Sequence, residues 1–467
     1  MEQRDVVIIG GGPAGYVGAI RAAQLGGKVV LIEADSLGGT CLNRGCIPTR
    51  ALSRGVEFLD LVRKAKDYGV NYGAAEVDFA KMVARKDMVV KTIGGGVQLL
   101  MEANGIEVLK GKGTLLSSTE VEAGLEDGST RLLKAGKIII ATGCHWEIPS
   151  IPGAEAIITT EAALNLKEIP KSIVILGGGD VALAFATIFS RLGAAVTLLE
   201  SSAQILPEVD RELVSMLERD LKKDKIQVFT EARIEAVQAG SGEERTVVFS
   251  HKGDSKSLAA QTVLLADGRK ANVEGLGLDK AGVRIESGSI VVNGRMETSV
   301  AGIFAAGDVI GGPLLAHVAV TEGKVAAENA MGKAAEMDYS AVPRCISTAP
   351  EIASLGLTEA RARDDGYDLR IGRFSFGANG MATILGERTG IIKVITDAKY
   401  GQILGVHIIG PQASNLIPEA ALAMKLDATP LEIASTIHAH PTLSEALMEA
   451  ALDVNGDTLH SISANKK

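Results

Sequence analysis

The chain has 467 residues, room for about three domains of ~150 residues each or for one large barrel. Its 48 Lys and Arg against 57 Asp and Glu give a formal charge of −9, which argues against the basic surface that a nucleic-acid binder needs to neutralise phosphates. With 46% apolar and 22% charged residues it is neither disordered nor fibrous, and its 54 glycines point to tight turns where backbone approaches something closely.

The first residues, Met1-Glu2-Gln3-Arg4-Asp5, lead straight into an apolar pattern with no signal-like segment. No run of ~18 apolar residues occurs, so no membrane span is expected. Four cysteines are too few for a secreted disulfide scaffold. The expectation is a cytoplasmic protein.

Residues 5–9 form a continuous apolar run, as in a parallel strand covered on both faces. Gly10-Gly11-Gly12-Pro13-Ala14-Gly15 follows, then a helical stretch to Leu25 and a second strand over 28–32 ending at Glu33. This βαβ unit carries the spacing of a dinucleotide site: Gly10, Gly12 and Gly15 permit a tight turn and close approach to a pyrophosphate. The helix start offers N–H groups to the anion, and Glu33 offers a carboxylate to ribose hydroxyls. The device recurs at 173–176, with Gly177, Gly179 and Ala182 in the loop and Glu200 after the strand 196–199. A lone glycine pattern could be an ordinary strand–turn–helix corner; two copies with matching offsets predict two dinucleotide sites.

Residues 138–140 read as a strand running into Ala141-Thr142-Gly143, and Pro149, Pro152 and Gly153 punctuate a linker. Residues 302–307 deliver Asp308 at a strand's carboxyl end, where ligands of open α/β sheets sit. From about Val342 the texture changes to extended runs (390–396, 403–409) alternating with helices (416–426, 431–436, 444–452), an α+β pattern without a glycine fingerprint.

Two motifs carry chemistry. Cys41-Leu42-Asn43-Arg44-Gly45-Cys46 places two cysteines five positions apart, and Gly38, Gly39 and Gly45 let the chain turn enough for the ~4.4–6.8 Å Cα separation of a disulfide. Zinc needs further ligands, and Cys144 and Cys345 stand isolated, so no metal site is expected. A structural bridge does not suit a reducing cytosol, which leaves a redox-active dithiol as the better reading. His438-Ala439-His440-Pro441-Thr442-Leu443-Ser444-Glu445 admits two readings. One is a histidine base oriented by a carboxylate; the other is a capping network at the start of the last helix.

The stretch from Leu37 through Cys41 and Cys46-Ile47-Pro48-Thr49, together with His438 through Glu445, resembles the pyridine-nucleotide disulfide oxidoreductases, and within them the branch that oxidises dihydrolipoamide. The similarity extends over both glycine fingerprints, Ala141-Thr142-Gly143, Ala305-Ala306-Gly307-Asp308 and Gly405-Val406-His407-Ile408-Ile409-Gly410. The resemblance implies an α/β fold with two Rossmann-like dinucleotide-binding domains, for FAD and NAD, plus a C-terminal α+β dimerisation domain. The expected boundaries are 1–150 for FAD and the disulfide, 151–275 for NAD, 276–342 returning to the FAD domain, and 343–467 for dimerisation.

FAD would meet Gly10, Gly12, Gly15, Glu33, Thr40, Arg50, Gly113, Thr142, Gly143, Asp308 and Ala316. NAD would meet Gly177, Gly179, Ala182, Glu200 and Gly268. A carboxylate at Glu200 also disfavours NADP by repelling its 2′-phosphate. The implied catalytic residues are Cys41, Cys46, His440 and Glu445. His440, held by Glu445, would deprotonate dihydrolipoamide, whose thiolate attacks Cys41; Cys46 would pass the electrons to FAD and so to NAD. The family places His440 and Glu445 across a homodimer, and the implied partners are lipoyl domains of a 2-oxo-acid dehydrogenase or glycine-cleavage-type system. His317, His407 and His438 are expected to be structural.

Four positions depart from the family pattern. Arg50 stands where relatives have a lysine beside the flavin, and Ala184 where they have its glutamate partner; Asp180 and Asp267 are unexpected near the nicotinamide side. Arg50 is then expected to lack a partner, and Asp180 to compete with the NAD pyrophosphate for the helix N–H groups. An alternative reading follows: a flavoprotein disulfide reductase or lipoyl-assembly subunit whose NAD site is altered or vestigial and which uses another electron partner.

Overall fold

The fold was analysed in a computed structural model, which describes residues 1–73, 75–240 and 244–462. Residues 463–467 of the expected dimerisation domain lie outside the described residues. The chain divides into two compact units. The first comprises Met1–Pro149, Thr159–Glu168 and Gly268–Asp338; the second comprises Ser150–Ile158, Ile169–Asp267 and Tyr339–Lys467.

In the first unit the strand Glu2–Ile9 pairs in parallel with Val29–Glu33 on one side and Thr130–Ile140 on the other, with Ile8 opposite Leu31 and Ile139. Val29–Glu33 continues in parallel to Glu107–Leu115, and Thr130–Ile140 to Ile303–Ala305. The apolar run of the first strand is continuous because both faces are covered. Val6 and Ile8 pack with Ala14, Ala19 and Ala22 of the helix Pro13–Gln24. The strand Glu120–Leu125 pairs antiparallel with both Glu107–Leu115 and Thr130–Ile140, and Val7 and Ile9 pack with Leu115, Val121 and Leu133 of these three. The helix Ala316–Ala330 crosses Pro13–Gln24 so closely that a Cβ at Gly323 would lie 2.1 Å from the Ala14 carbonyl oxygen.

In the second unit a five-stranded sheet runs in the order Gln227–Phe229, Ala195–Leu199, Ser172–Leu176, Thr262–Leu265 and Ile157–Thr159. Three antiparallel strands, Ala232–Ala239, Arg245–His251 and Asp254–Ala260, form a separate meander. The C-terminal sheet has the order Arg344–Ile346, Glu351–Gly356, Ile403–Gly410, Ile391–Asp397 and Leu369–Ser375. The apolar residues of Ala413–Lys425 and Glu445–Asp453 share its core cluster.

An ionic knot joins the nucleotide-type segment to this C-terminal sheet. Lys393 Nζ, 2% exposed, lies 2.9 Å from Asp210, 3.0 Å from Glu212 and 2.8 Å from Glu359. Arg373 closes the other side, with Nε 3.0 Å from Glu212. Burial alone would raise the Asp210 carboxyl, but Lys393 and the Glu359 amide outweigh it and hold it below the usual range. Among the described residues no helix is long and apolar enough to cross a membrane.

Candidate active site

The first glycine loop is built by contrast between closed and open positions. Gly10 takes φ +101°, and a Cβ there would meet the Ala141 carbonyl oxygen at 2.3 Å; one at Gly15 would meet the Gly10 carbonyl oxygen at 1.8 Å. At Gly12 the nearest atom to a Cβ is Gly39 Cα at 3.9 Å. Open space therefore lies where the helix Pro13–Gln24 begins, and its first turn directs N–H groups without intrahelical acceptors into it. Proline at the first helical position removes a donor that the helix does not use. Glu33 Oε2 accepts from the Gly11 amide at 2.5 Å and Oε1 from the Asp35 amide at 2.7 Å. These groups fit a dinucleotide diphosphate with a carboxylate beside its ribose.

Asp308 follows Gly307, whose amide donates to the buried Glu322 at 2.8 Å. It borders a shallow depression shared with Leu314, Leu315, Val318 and Glu322, next to Ala316 at the helix start. Thr142 Oγ1 donates to the Asn272 carbonyl at 2.8 Å, and no atom approaches the Cβ direction of Gly143 within 4 Å. Thr40 is exposed in the helix Gly39–Arg44. Gly113 lies in Glu107–Leu115, where Ile9 and Ile32 approach its Cβ direction at 3.0 and 3.2 Å. Arg50 does not lack a partner as expected: its Nη1 lies 3.6 Å from Glu57, two turns along the helix Cys46–Arg63.

The second loop repeats the geometry in the second unit. Gly177 takes φ +118°, Gly179 has no atom within 4 Å of its Cβ direction, and Ala182 is fully buried at the third position. Glu200 is 4% exposed and its Oε1 accepts from the Ser202 amide at 2.6 Å. Asp180 opens the helix Asp180–Arg191, but it is not free to compete for the loop's donors: Arg344 Nη1 lies 3.2 Å from its Oδ1. Burial raises the Asp180 carboxyl while Arg344 works against that. Ala184 is buried in the same helix. In the first unit the carbonyl of Gly268, at φ +83°, accepts a hydrogen bond from the Glu147 amide at 2.9 Å.

Cys41 lies in Gly39–Arg44 and Cys46 opens Cys46–Arg63, with Gly45 turning the chain between them. Both are thiols in this structure. The Cys41 side chain, hydrogen-bonded to Cys46, holds Cys46 down to about 7, and the charge of Arg269 adds to this. The same bond, with burial, pushes the Cys41 thiol far up. The pair is thus polarised, with Cys46 the more acidic of the two.

Cys144, read from the sequence as isolated, is not. Its Sγ donates to Asp308 Oδ2 at 2.9 Å, and burial with that carboxylate pushes it up to about 12. Arg269 Nη1 stands 3.8 Å from Asp308, and its guanidinium lies 5.0 Å from the centre of the Trp146 ring. Cys144 and Arg269 flank motifs that the sequence did reveal, Ala141-Thr142-Gly143 and Leu265-Ala266-Asp267-Gly268, but residue type alone gave them no role.

In the second unit His440 Nδ1 lies 2.9 Å from Glu445 Oε1, and the Thr442 amide donates to Glu445 Oε2 at 2.8 Å. One carboxylate thus orients the histidine and caps the helix Glu445–Asp453, so the two readings coexist. Burial works against ionising Glu445, but these bonds hold its carboxyl below the ordinary range. His440 is largely exposed, its Nε2 edge available to a substrate. His438 bridges the Thr436 carbonyl and Glu419 with its side chain 4% exposed, and His407 is buried against the Leu357 carbonyl. A second pair was missed: His460 Nδ1 lies 2.7 Å from the buried Glu449, which also accepts from Thr458 and the Leu459 amide.

Residues 4–323 match the pyridine nucleotide-disulphide oxidoreductase family, and residues 342–451 its dimerisation domain. The dihydrolipoyl dehydrogenase of Bacillus subtilis is 41% identical over 98% of this chain and 99% of its own length. That of Thermus scotoductus is 42% identical over 99% and 100%. Among solved structures, LpdA of Mycobacterium tuberculosis superposes with a TM-score of 0.89 at 27% identity, covering 97% of this chain and 99% of its own. The loops, the cysteine pair and the full-length similarity agree: the chain belongs to the pyridine nucleotide-disulphide oxidoreductases.

Proposed function

We infer that the protein is an FAD-dependent dihydrolipoyl dehydrogenase that oxidises protein-bound dihydrolipoamide with NAD as acceptor. The observation that carries the reading is the pair Cys41 and Cys46, hydrogen-bonded to each other across the turn at Gly45, with Cys46 the more acidic of the two; the names of the full-length relatives support the substrate. The loop of Gly10, Gly12 and Gly15 with Glu33 and Asp308 would hold FAD, and that of Gly177, Gly179 and Ala182 with Glu200 would hold NAD. When bound, FAD supplies a two-electron relay between the cysteine pair and NAD, which leaves with a hydride.

The chain's own residues perform the thiol chemistry. His440 of the partner subunit, fixed by Glu445, takes a proton from the first substrate thiol. The resulting thiolate attacks Cys41 in its disulfide with Cys46; that bond breaks and Cys46 departs as thiolate, a good leaving group because its pKa is low. The second substrate sulfur then attacks the first and closes the lipoamide disulfide. Its proton goes to solvent, and Cys41 takes the proton held by His440. The pair ends two electrons richer, with Cys41 a thiol and Cys46 a thiolate.

We place the protein in a cytoplasm, as a homodimer, serving lipoyl domains of a 2-oxo-acid dehydrogenase or glycine-cleavage-type system. The pairing of Arg50 with Glu57 and of Asp180 with Arg344 speaks against the vestigial-site alternative. The test is a steady-state assay with dihydrolipoamide and NAD. NADH formation is expected, and is lost in Cys41→Ser and Cys46→Ser proteins that stay yellow with FAD. Absence of NADH formation by the flavin-loaded parent overturns the reading.

A further inference from the structure

We infer that Arg344 is a specificity residue of the second nucleotide site: it is the counter-ion that lets a carboxylate stand at the head of the helix facing the dinucleotide pyrophosphate. The inference rests on reading the loop of Gly177, Gly179 and Ala182 as an NAD site.

Asp180 is the first residue of the twelve-residue helix Asp180–Arg191 and follows Gly179, whose Cβ direction is open to 4 Å. A carboxylate there is favoured by the helix dipole, yet it stands where a diphosphate should arrive. Left alone, it would oppose the ligand by like-charge repulsion. Arg344 removes that conflict. Its Nη1 lies 3.2 and 3.4 Å from the two Asp180 oxygens, and its Nη2 lies 2.7 Å from Glu208.

The planar fork spans both carboxylates, which a lysine's single ammonium does not do with the same geometry. Asp180 and Arg344 are each about a quarter exposed, so their charges meet in a partly desolvated place, whereas Glu208 is 70% exposed and its charge is screened by water. The local sum at the loop is therefore close to neutral. A guanidinium carries five N–H donors, and Arg344 can stay on Asp180 while donating to a phosphate oxygen. The residue comes from the strand Arg344–Ile346, 164 positions from Asp180. Charge at the nucleotide loop is thus set by the first strand of the C-terminal sheet.

The test is calorimetric titration of the FAD-loaded protein with NAD and NADH. Arg344→Met should weaken nucleotide binding by about tenfold, the scale of one uncompensated charge at a few ångströms in a partly solvated site. Asp180→Asn alone should bind at least as tightly as the parent. The double variant Asp180→Asn, Arg344→Met should return to within about twofold of the parent, because neither charge remains to be compensated. Arg344→Lys, which keeps the charge but loses the fork, should fall between, and it carries the test if the methionine variant does not fold. In turnover the KM for NAD should move more than kcat. Binding within twofold of the parent by Arg344→Met, or by Arg344→Lys where that variant carries the test, overturns the inference, as does a double variant no better than Arg344→Met. A parent with no measurable NAD or NADH binding overturns the reading of the site itself.

Discussion

Cys41 and Cys46 are close in the chain and are shifted in opposite directions in acidity, and this asymmetry can be read directly. In the reduced protein, iodoacetamide should label Cys46 with a rate that rises about a midpoint near pH 7, because only the thiolate reacts. Cys41 should stay silent until well above the ordinary thiol value of ~8.5. Mass spectrometry locates the label, and labelling of Cys41 first would contradict the assignment. His440→Ala should slow reduction of the disulfide by roughly 10²–10⁴, the range for a positioned base. Glu445→Gln should cost less, because it keeps the cap while weakening the hold on the imidazole; stopped-flow reduction by dihydrolipoamide measures both. Cysteine, histidine and glutamate were legible in the sequence because their chemistry is carried by residue type and close spacing. Arg344 and Cys144 were not, because each acts through a partner 164 positions away that only the fold supplies; Arg269 was not, because its Asp308 contact also spans separate elements.

At the scale of elements, the two βαβ units were legible down to their glycines, since a buried parallel strand shows as an unbroken apolar run. The meander Ala232–Ala260 was not. Its strand Asp254–Ala260 is mostly exposed and polar, and its turn, Lys252-Gly253 with φ of +53° and +90°, uses a lysine where Asn or Asp would advertise a hairpin. The helix Phe79–Ala103 hides behind Gly94-Gly95-Gly96, each glycine costing about 1 kcal/mol of helix propensity against alanine. Glycine also sets the crossing of Pro13–Gln24 and Ala316–Ala330. A methyl at Gly323 would enter the Ala14 carbonyl, whereas one at Gly18 stops 3.1 Å from its nearest atom. Gly323→Ala should therefore cost about 1–3 kcal/mol, as overpacking does, with a lower melting temperature and a lower flavin content on purification. Gly18→Ala should be milder in both measures.

At the scale of the molecule, the second unit is held by a charge cluster as well as by apolar packing. Removing its one lysine strands the buried Asp210 without its cation, while Glu359 keeps Arg363 and Arg373. Lys393→Met should destabilise by about 3–5 kcal/mol, the cost of breaking a buried pair from one side, read as a shift in urea midpoint. Asp210 and Glu359 both have folded pKa values below their unfolded ones. Their stabilisation is present at neutral pH and is lost as pH falls below ~4, through the folded values. Lys393 is raised, so its share is present at neutral pH and is lost only in strong alkali. The parent should show an acid-limb loss of stability that Lys393→Met lacks in part. For recombination between relatives, the same cluster makes the seam at residue 339 a costly place to cross over. A chimera taking residues 339–467 from a relative inherits a lysine at position 393 or does not, while Asp210 and Glu212 stay with the recipient. The acceptable exchanges are those in which the donor's sheet and the recipient's helix Arg211–Lys223 carry matching charges, so these two stretches, far apart in the chain, travel through sequence change as one heritable module.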